Sequence, residues 1–412
     1  MKKTLAIVGG GAVGLSSAIH AYNFSKGKIN IIILEKMDRV GKKILATGNG
    51  RCNFTNINAT YKNFYSENKD FPKYFLDQFT PKQTIDFFYN LGVLHTVLEN
   101  GKVYPFSQQA SSILDALRNK IDSLNIPIKT NFEVVKIDKK NGQFNIIAKN
   151  GENILCDKII FGAGGMASAN LGSDGGGLRL LKSMGHSHTK LVPALVQLKT
   201  QTDKIKALKG IKIIGNLKIY SNVKFLKEDF GEILFTDYGI SGPPVFQLST
   251  LFSMYKNLIA YIDFMPKFSE NDVFKILKDR QQILNYTNME NYFNGLLNKR
   301  LGNIVAKTSG IEKMSFLVKD LTDDLLKKMA YNIKNYKLDI LDTNGFNNAQ
   351  VMAGGLKTTE FDDKTLQSKI INGLYCAGEI LDVLGDCGGF NLQWAWASSY
   401  VATKCCVESM LK

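Results

Sequence analysis

The run Thr4-Leu5-Ala6-Ile7-Val8-Gly9-Gly10-Gly11-Ala12-Val13-Gly14 constrains this chain more than any other. An apolar stretch of strand type, Thr4 to Val8, feeds into glycines spaced G-x-G-x-x-G; a helix-like stretch, Leu15 to Ser25, and a second apolar run, Ile29 to Leu34, follow. Strand, glycine turn, helix and strand make a βαβ unit with its two strands parallel. Each glycine answers a need. Gly9 permits the tight turn, Gly11 lets an anionic group approach bare backbone, and Gly14 lets helix and strand pack closely. The start of the helix offers unpaired N–H groups and a partial positive charge to that anion. Glu35 ends the second run 21 positions after Gly14, where a carboxylate accepts hydrogen bonds from ribose hydroxyls. Strand, glycines, helix and acid together read as a dinucleotide site on a Rossmann-type α/β fold.

Which dinucleotide is decided near the other end of the chain. Gly373-Leu374-Tyr375-Cys376-Ala377-Gly378-Glu379 is a buried-strand pattern running into a glycine and an acid, an arrangement that suits the ribityl chain and pyrophosphate of FAD and that a nicotinamide dehydrogenase does not need. Gly388-Gly389-Phe390-Asn391-Leu392-Gln393-Trp394-Ala395 then opens a helix, whose free N–H groups suit the N1/O2 edge of an anionic reduced flavin. A second glycine run, Gly162-Ala163-Gly164-Gly165-Met166-Ala167, follows the apolar Lys158 to Phe161. No strand-terminal acid lies in Lys182 to Lys190 and no second βαβ unit follows, so this run is expected to return beside FAD. NAD(P)H is accordingly expected as a transient electron donor without a domain of its own.

A chain of 412 residues exceeds one compact core and divides into domains. Helical spacing covers Phe71 to Asn90 and Ser111 to Ser123, and Phe132 to Ile137 with Phe144 to Ala148 reads as a hairpin closed by Asn141-Gly142. After Pro193 the βαβ rhythm gives way to short strands such as Leu217 to Tyr220 and Ile259 to Phe264, then to a polar helical stretch, Glu270 to Asn335. The expected division is an FAD-binding first part at 1–192, an inserted β-barrel-like domain at 193–268, a helical part of the insert at 269–346, and the return of the FAD-binding domain at 347–412.

Three long motifs carry a resemblance. Gly41-Lys42-Lys43-Ile44-Leu45-Ala46-Thr47-Gly48-Asn49-Gly50-Arg51-Cys52-Asn53-Phe54-Thr55-Asn56, Phe235-Thr236-Asp237-Tyr238-Gly239-Ile240-Ser241-Gly242-Pro243, and Gly385 to Ser398 closely resemble the signatures of the BaiN-like flavoproteins, also called the aminoacetone oxidase family of FAD-binding enzymes. The likeness spans nearly the whole chain. It implies a Rossmann-type FAD-binding domain interrupted by a β-barrel-like and helical insert. The candidate cofactor-binding set is Gly9, Gly11, Ala12, Val13, Gly14, Glu35, Lys36, Lys43, Thr47, Gly48, Asn49, Arg51, Cys52, Asn53, Val134, Gly162, Ala163, Gly164, Gly378, Glu379, Asp386, Gly389, Phe390, Asn391 and Leu392. The chain departs from the family pattern at Met352, where a threonine is usual, and at Tyr400, where a small residue is common.

Hydride would pass through flavin N5, and a nearby acid or base would move the proton. Cys52 and Cys387, inside the motifs expected near the ring, are the candidates, each weighed against a role as small packing residue. The leading expectation is reduction of a C=C bond in a small molecule or in ribosomal RNA, as dihydrouridine formation. The alternatives are a flavin oxidase of a small amine such as aminoacetone, which releases peroxide, and a non-catalytic flavin-containing RNA-binding protein. The formal charge of +15 favours anionic partners. Lys199, Lys204, Lys206, Lys209, Lys212, Lys218, Lys224 and Lys227 stand against Asp203 alone between Leu198 and Lys227, as a nucleic-acid surface or one polar face of a sheet. The six cysteines include no Cys-x-x-Cys pair and read as reduced thiols. His186 and His188 read as surface-loop residues, so no metal site is expected. The apolar run at the start stops at Gly9, too soon for a signal peptide or membrane span, so the expectation is a cytoplasmic protein without membrane contact.

Overall fold

The computed structural model describes residues 2–412 as two compact units, one of residues up to Pro193 together with Phe346–Lys412, the other Ala194–Gly345. In the first unit, β1 (Thr4–Val8), β2 (Asn30–Leu34), β3 (Ile128–Lys129), β4 (Lys158–Phe161) and β5 (Leu374–Cys376) form a sheet in the order β5-β4-β1-β2-β3. Every pairing is parallel. Val8 lies opposite both Leu34 and Phe161, and Phe161 opposite Cys376, so four strands end level with one another. The loops that leave them carry Gly9–Gly14, Glu35, Gly162–Gly164 and Gly378–Glu379 to one edge, where open α/β sheets bind ligands.

Leu5, Ala6, Ile7, Ile159 and Ile160 are wholly buried, as expected of parallel strands covered on both faces. The first helix, Ala12–Ser25, is buried on nearly all sides from Val13 to Ala21. It packs against the last helix, Phe390–Leu411, and the close approach is tied by Ser16 Oγ and Ser399 Oγ at 2.7 Å. The expected hairpin is present as Val134–Lys140 and Gln143–Ala148, with Asn141 and Gly142 both at positive φ. Asn153–Cys156 adds a third strand.

Between those two helices His20 is caged by Phe87, Tyr400, Phe79 and Phe24, at ring-centroid distances of 4.8, 5.2, 5.6 and 6.1 Å. Its Nε2 meets no partner among the described residues. Burial pushes the imidazole from its ordinary value of 6.5 down to about 3. The unfolded chain therefore takes up a proton below pH 6.5 that the folded chain refuses until about pH 3, so this contribution to stability is complete above pH 6.5 and is lost as pH falls through that window. Chemical denaturation at pH 7 and pH 5 should show the parent losing about 2 kcal/mol that a His20→Phe variant keeps. Equal losses in the two proteins would refute a neutral, buried imidazole.

The second unit is built on a closed barrel of Leu198–Thr200, Gly239–Ser241, Lys224–Phe235, Lys212–Ser221, Leu258–Asp263 and Tyr336–Thr343, in that order. Leu217, Ile219, Ile233, Phe235, Ile240, Ala260, Ile262 and Leu338 fill its interior. The last stave falls within 269–346, expected as the helical part of the insert but beyond the helical spacing that ends at Asn335: Tyr336, Leu338 and Ile340 alternate inward with Lys337 and Asp339 between them. The helices Glu270–Ile283, Lys299–Thr308 and Asp323–Lys334 belong to the same unit. The basic stretch lies partly on this barrel, where Lys212 pairs with Glu232 at 3.0 Å and Lys209 with Asp237 at 2.8 Å.

One expectation is corrected in the first unit. His186 is buried rather than on a surface loop: it stacks on Phe361 at 5.3 Å, with Nδ1 facing the Leu181 carbonyl and Nε2 facing Ser368 Oγ. Among the described residues no helix is long and apolar enough to cross a membrane.

Candidate functional site

The turn after β1 shows why three glycines are spaced as they are. Gly9 takes φ +102°, and a Cβ there would stand 2.6 Å from the Gly162 carbonyl oxygen. A Cβ on Gly14 would stand 1.8 Å from the Gly9 carbonyl oxygen, so the first helix could not lie where it does. Gly11 differs. Its φ is −87°, which any residue adopts, and a Cβ would meet nothing within 4 Å. The protein has no steric need for glycine there; a ligand pressed against the backbone would supply one. Val13 fills the space left by Gly162 and Gly378, whose added Cβ atoms would each come within 2.5 Å of it, and this brings the second glycine run beside the first turn.

A cleft at the ends of β1, β2 and β4 is lined by Gly9, Glu35, Lys36, Phe132, Val134 and Ala163, among others. Glu35 is held by two backbone donors: Gly10 N–H to Oε2 at 2.6 Å and Met37 N–H to Oε1 at 2.8 Å. Lys36 pairs with Asp174 at 2.7 Å, whose Oδ1 also accepts from Gly176 N–H at 2.9 Å. Asp174 lines the same cleft and was missed from sequence, although Asp174-Gly175-Gly176-Gly177 is itself a glycine-rich helix start.

Further along the edge, Lys43 meets Glu379 at 2.7 Å, and the other Glu379 oxygen accepts from Met352 N–H at 2.9 Å. Gly164 lies beside this pair, its missing Cβ 3.8 Å from Glu379 Oε2. The Met352 side chain packs on Gly165 and is buried. Gly378, at φ +78°, donates its N–H to Ser398 Oγ at 2.9 Å and receives Trp394 Nε1–H at 3.1 Å. Tyr400 stacks on Phe79 at 4.7 Å, so its bulk is absorbed by the core.

The loop 47–53 and the start of the last helix meet. Gly48 and Asn49 are left-handed, at φ 57° and 55°, and Thr47 Oγ1 donates to the Ile44 carbonyl at 2.6 Å. Asn53 Oδ1 accepts from Val103 N–H at 3.1 Å and would lie 2.9 Å from a Cβ on Gly389. Gly389, at φ +96°, precedes Phe390 and brings no side chain to cap the helix. Phe390 meets Phe64 edge-on at 6.2 Å, and Leu392 is half-buried. Asn391 and Asp386 brace loops: Asn391 exchanges hydrogen bonds with both backbone groups of Gly385, while Asp386 accepts from Asn63 Nδ2 at 3.2 Å and Tyr65 OH at 3.0 Å.

Cys52 is wholly buried, and burial pushes its thiol up to about 12. That environment disfavours the thiolate and suits a packing residue, which weakens the sequence-based assignment of Cys52 as a redox or proton-transfer group. Cys387 is half-buried. Tyr104, absent from the sequence-based set, stands among these groups, with Arg51 Cζ 4.9 Å from its ring centroid.

The residues fit FAD. The helices that begin at Gly11 and Gly389 have no side-chain cap, which leaves first-turn N–H groups for an outside acceptor. The first has open space over its glycine, as a diphosphate requires. FAD held there would supply hydride chemistry.

The HI0933-like protein Rossmann domain family matches residues 3–405 of this chain. The chain is 38% identical over 408 residues to the 3-dehydro-bile acid delta(4,6)-reductase of Clostridium scindens, covering 98% of this chain and 99% of the relative. It is 27% identical over 402 residues to the ribosomal RNA dihydrouridine synthase of Haemophilus influenzae, covering 96% of each. Among solved structures, 3-ketosteroid delta1-dehydrogenase from Sterolibacterium denitrificans matches with a TM-score of 0.54 at 12% identity, over 99% of this chain and 100% of the other. At that identity the likeness speaks for the fold alone.

Proposed function

The chain belongs to the HI0933-like Rossmann-domain family and is an FAD-dependent oxidoreductase; from that premise we propose that it reduces a C=C bond of an unsaturated small molecule, with NADH or NADPH as electron donor. In this reading the Gly9–Gly14 turn seats the diphosphate, Glu35 the adenosine ribose, and Gly378, Glu379 and Lys43 the far side of the cofactor. The start of the last helix faces the ring edge where negative charge gathers on reduction. The nicotinamide donor docks transiently, because the second glycine run packs on Val13 instead of opening a second nucleotide site.

What carries the reading is the 38% identity, over 98% of the chain, to a protein named a delta(4,6)-reductase. The RNA reading is the second. The charge of +15 and the likeness to a ribosomal RNA dihydrouridine synthase favour it, while Glu232 and Asp237 beside Lys212 and Lys209 dilute the basic stretch. Anaerobic addition of NADH or NADPH to the yellow protein should bleach it, and a conjugated enone should restore the colour. Slow reoxidation in air fits a reductase. Fast reoxidation with peroxide release and no need of nicotinamide would replace the reading by an amine oxidase. Loss of dihydrouridine from the ribosomal RNA of a deletion strain would replace the small molecule by RNA.

A further inference from the structure

We propose that Arg51 is a catalytic electrophile, its guanidinium receiving the carbonyl oxygen conjugated to the reacting double bond, and that Tyr104 is the residue that positions it. This rests on the reading of the chain as a C=C reductase and narrows the substrate class to α,β-unsaturated carbonyl compounds.

Arg51 is exposed, while Cys52 to Asn56 after it are buried. Its Nε donates to the Gly48 carbonyl at 3.4 Å, and its Cζ lies 4.9 Å from the Tyr104 ring centroid. These two contacts orient the side chain toward the Tyr104 ring and leave the Nη groups without a hydrogen-bond or ion-pair partner among the described residues. A cation that serves only to solvate a surface needs neither anchor.

Tyr104 is held in its turn. It sits on Lys102–Pro105, which pairs with Thr55–Asn56 on one side and His95–Val97 on the other. Its ring fills the space that Gly48 leaves open, where a Cβ would come within 3.2 Å of Cε1. Asn56 Nδ2 donates to the Gly388 carbonyl at 3.0 Å, and a Cβ on Gly388 would stand 3.2 Å from Lys102 Cε, so the strand that carries Tyr104 lies beside the loop that leads into Gly389.

The chemistry such a fork supplies is specific. Hydride delivered to the carbon β to a carbonyl moves the π pair onto the oxygen, and the α-carbon then takes a proton from water. The two electrons arrive as that hydride, drawn from the nicotinamide donor through the cofactor. Charge builds on oxygen in the transition state, and planar N–H donors aimed there stabilise it where a single ammonium does so less well. An isolated alkene has no oxygen to receive the charge.

The test uses FAD-loaded parent, Arg51→Gln, Tyr104→Leu and Tyr104→Phe proteins, each reduced anaerobically and mixed with 2-cyclohexenone or cyclohexene. The parent should reduce the enone and spare the alkene. Arg51→Gln should slow enone reduction on the order of 100-fold. Tyr104→Leu should lose most of the rate, and Tyr104→Phe, which keeps the ring, should restore most of it. A readout independent of turnover is p-nitrophenol bound to the oxidised protein: the parent should hold more of it as the phenolate, by visible absorbance, than Arg51→Gln does. Equal ionisation in the two, equal rates, or damage from Tyr104→Phe as deep as from Tyr104→Leu would overturn the inference alone. A parent that reduces neither cyclohexenone nor any other C=C compound would overturn the underlying reading with it.

Discussion

A Gly11→Asp protein is expected to fold as its parent does and to emerge from purification colourless. The backbone at Gly11 is already in a conformation open to any residue, and the new Cβ enters empty space. Aspartate is moreover a favoured residue at the start of a helix, so the stability of the cofactor-free protein should hold or rise slightly. The carboxylate, however, takes the seat of the diphosphate and sets like charge against it. FAD affinity should fall by about 1,000-fold or more, equivalent to roughly 4 kcal/mol. Gly14→Ala is the contrasting case. Its Cβ would lie 1.8 Å from the Gly9 carbonyl oxygen, the helix must shift, and stability and cofactor should be lost together. Titration calorimetry with FAD and thermal melts of the cofactor-free proteins separate the two. A yellow Gly11→Asp protein would show that no diphosphate presses on Gly11, and a cofactor-free melt that drops as far as that of Gly14→Ala would show that Gly11 serves the fold.

The parts legible in the sequence are those whose signals are local. Thr4–Val8 and Lys158–Phe161 have the bounds that their apolar runs suggest, because a short buried strand followed by glycine announces both its length and its end. The parallel order, once two strands are known, brings the remaining glycine turns to the same edge. Tyr336–Thr343 was hidden because its charged alternate residues continue the polar texture of the helix Asp323–Lys334 before it. The setting of His186 depends on Phe361 and Ser368, which lie far along the chain. Tyr104 belongs to no motif; it enters the site because Lys102–Pro105 pairs with Thr55–Asn56, a register that nothing in either segment declares. Asn391 and Asp386 teach the reverse lesson. They lie in the Gly385 to Ser398 motif, and their side chains hold the loop, a bracing role that the motif by itself does not declare.

Gln393 is another such residue, and replacing it should produce a large loss of stability. It is wholly buried one turn into the last helix. Its Oε1 accepts from Thr55 Oγ1 at 2.6 Å and Thr84 Oγ1 at 2.8 Å, and its Nε2 donates to the Phe79 carbonyl at 2.7 Å. Leucine has nearly the same volume, so Gln393→Leu opens little cavity; it strands two hydroxyls and a carbonyl in an apolar interior. At about 1–3 kcal/mol for each stranded group, less what relaxation recovers, the expected cost is roughly 3–5 kcal/mol, or a fall of about 4–9 °C in the melting midpoint. Adding Thr55→Val and Thr84→Val should recover part of this loss, since apolar groups facing one another need no partners. The cofactor should follow stability. A Cβ on Gly389 would lie 2.4 Å from the Thr55 carbonyl oxygen, so a clamp that fixes Thr55 against the helix also fixes the helix start, and Gln393→Leu should release FAD on warming in step with unfolding. Gly11→Asp, by contrast, should lose it without unfolding. A Gln393→Leu protein that melts within about 2 °C of its parent, or a triple variant less stable than the single one, would show that these hydrogen bonds contribute little.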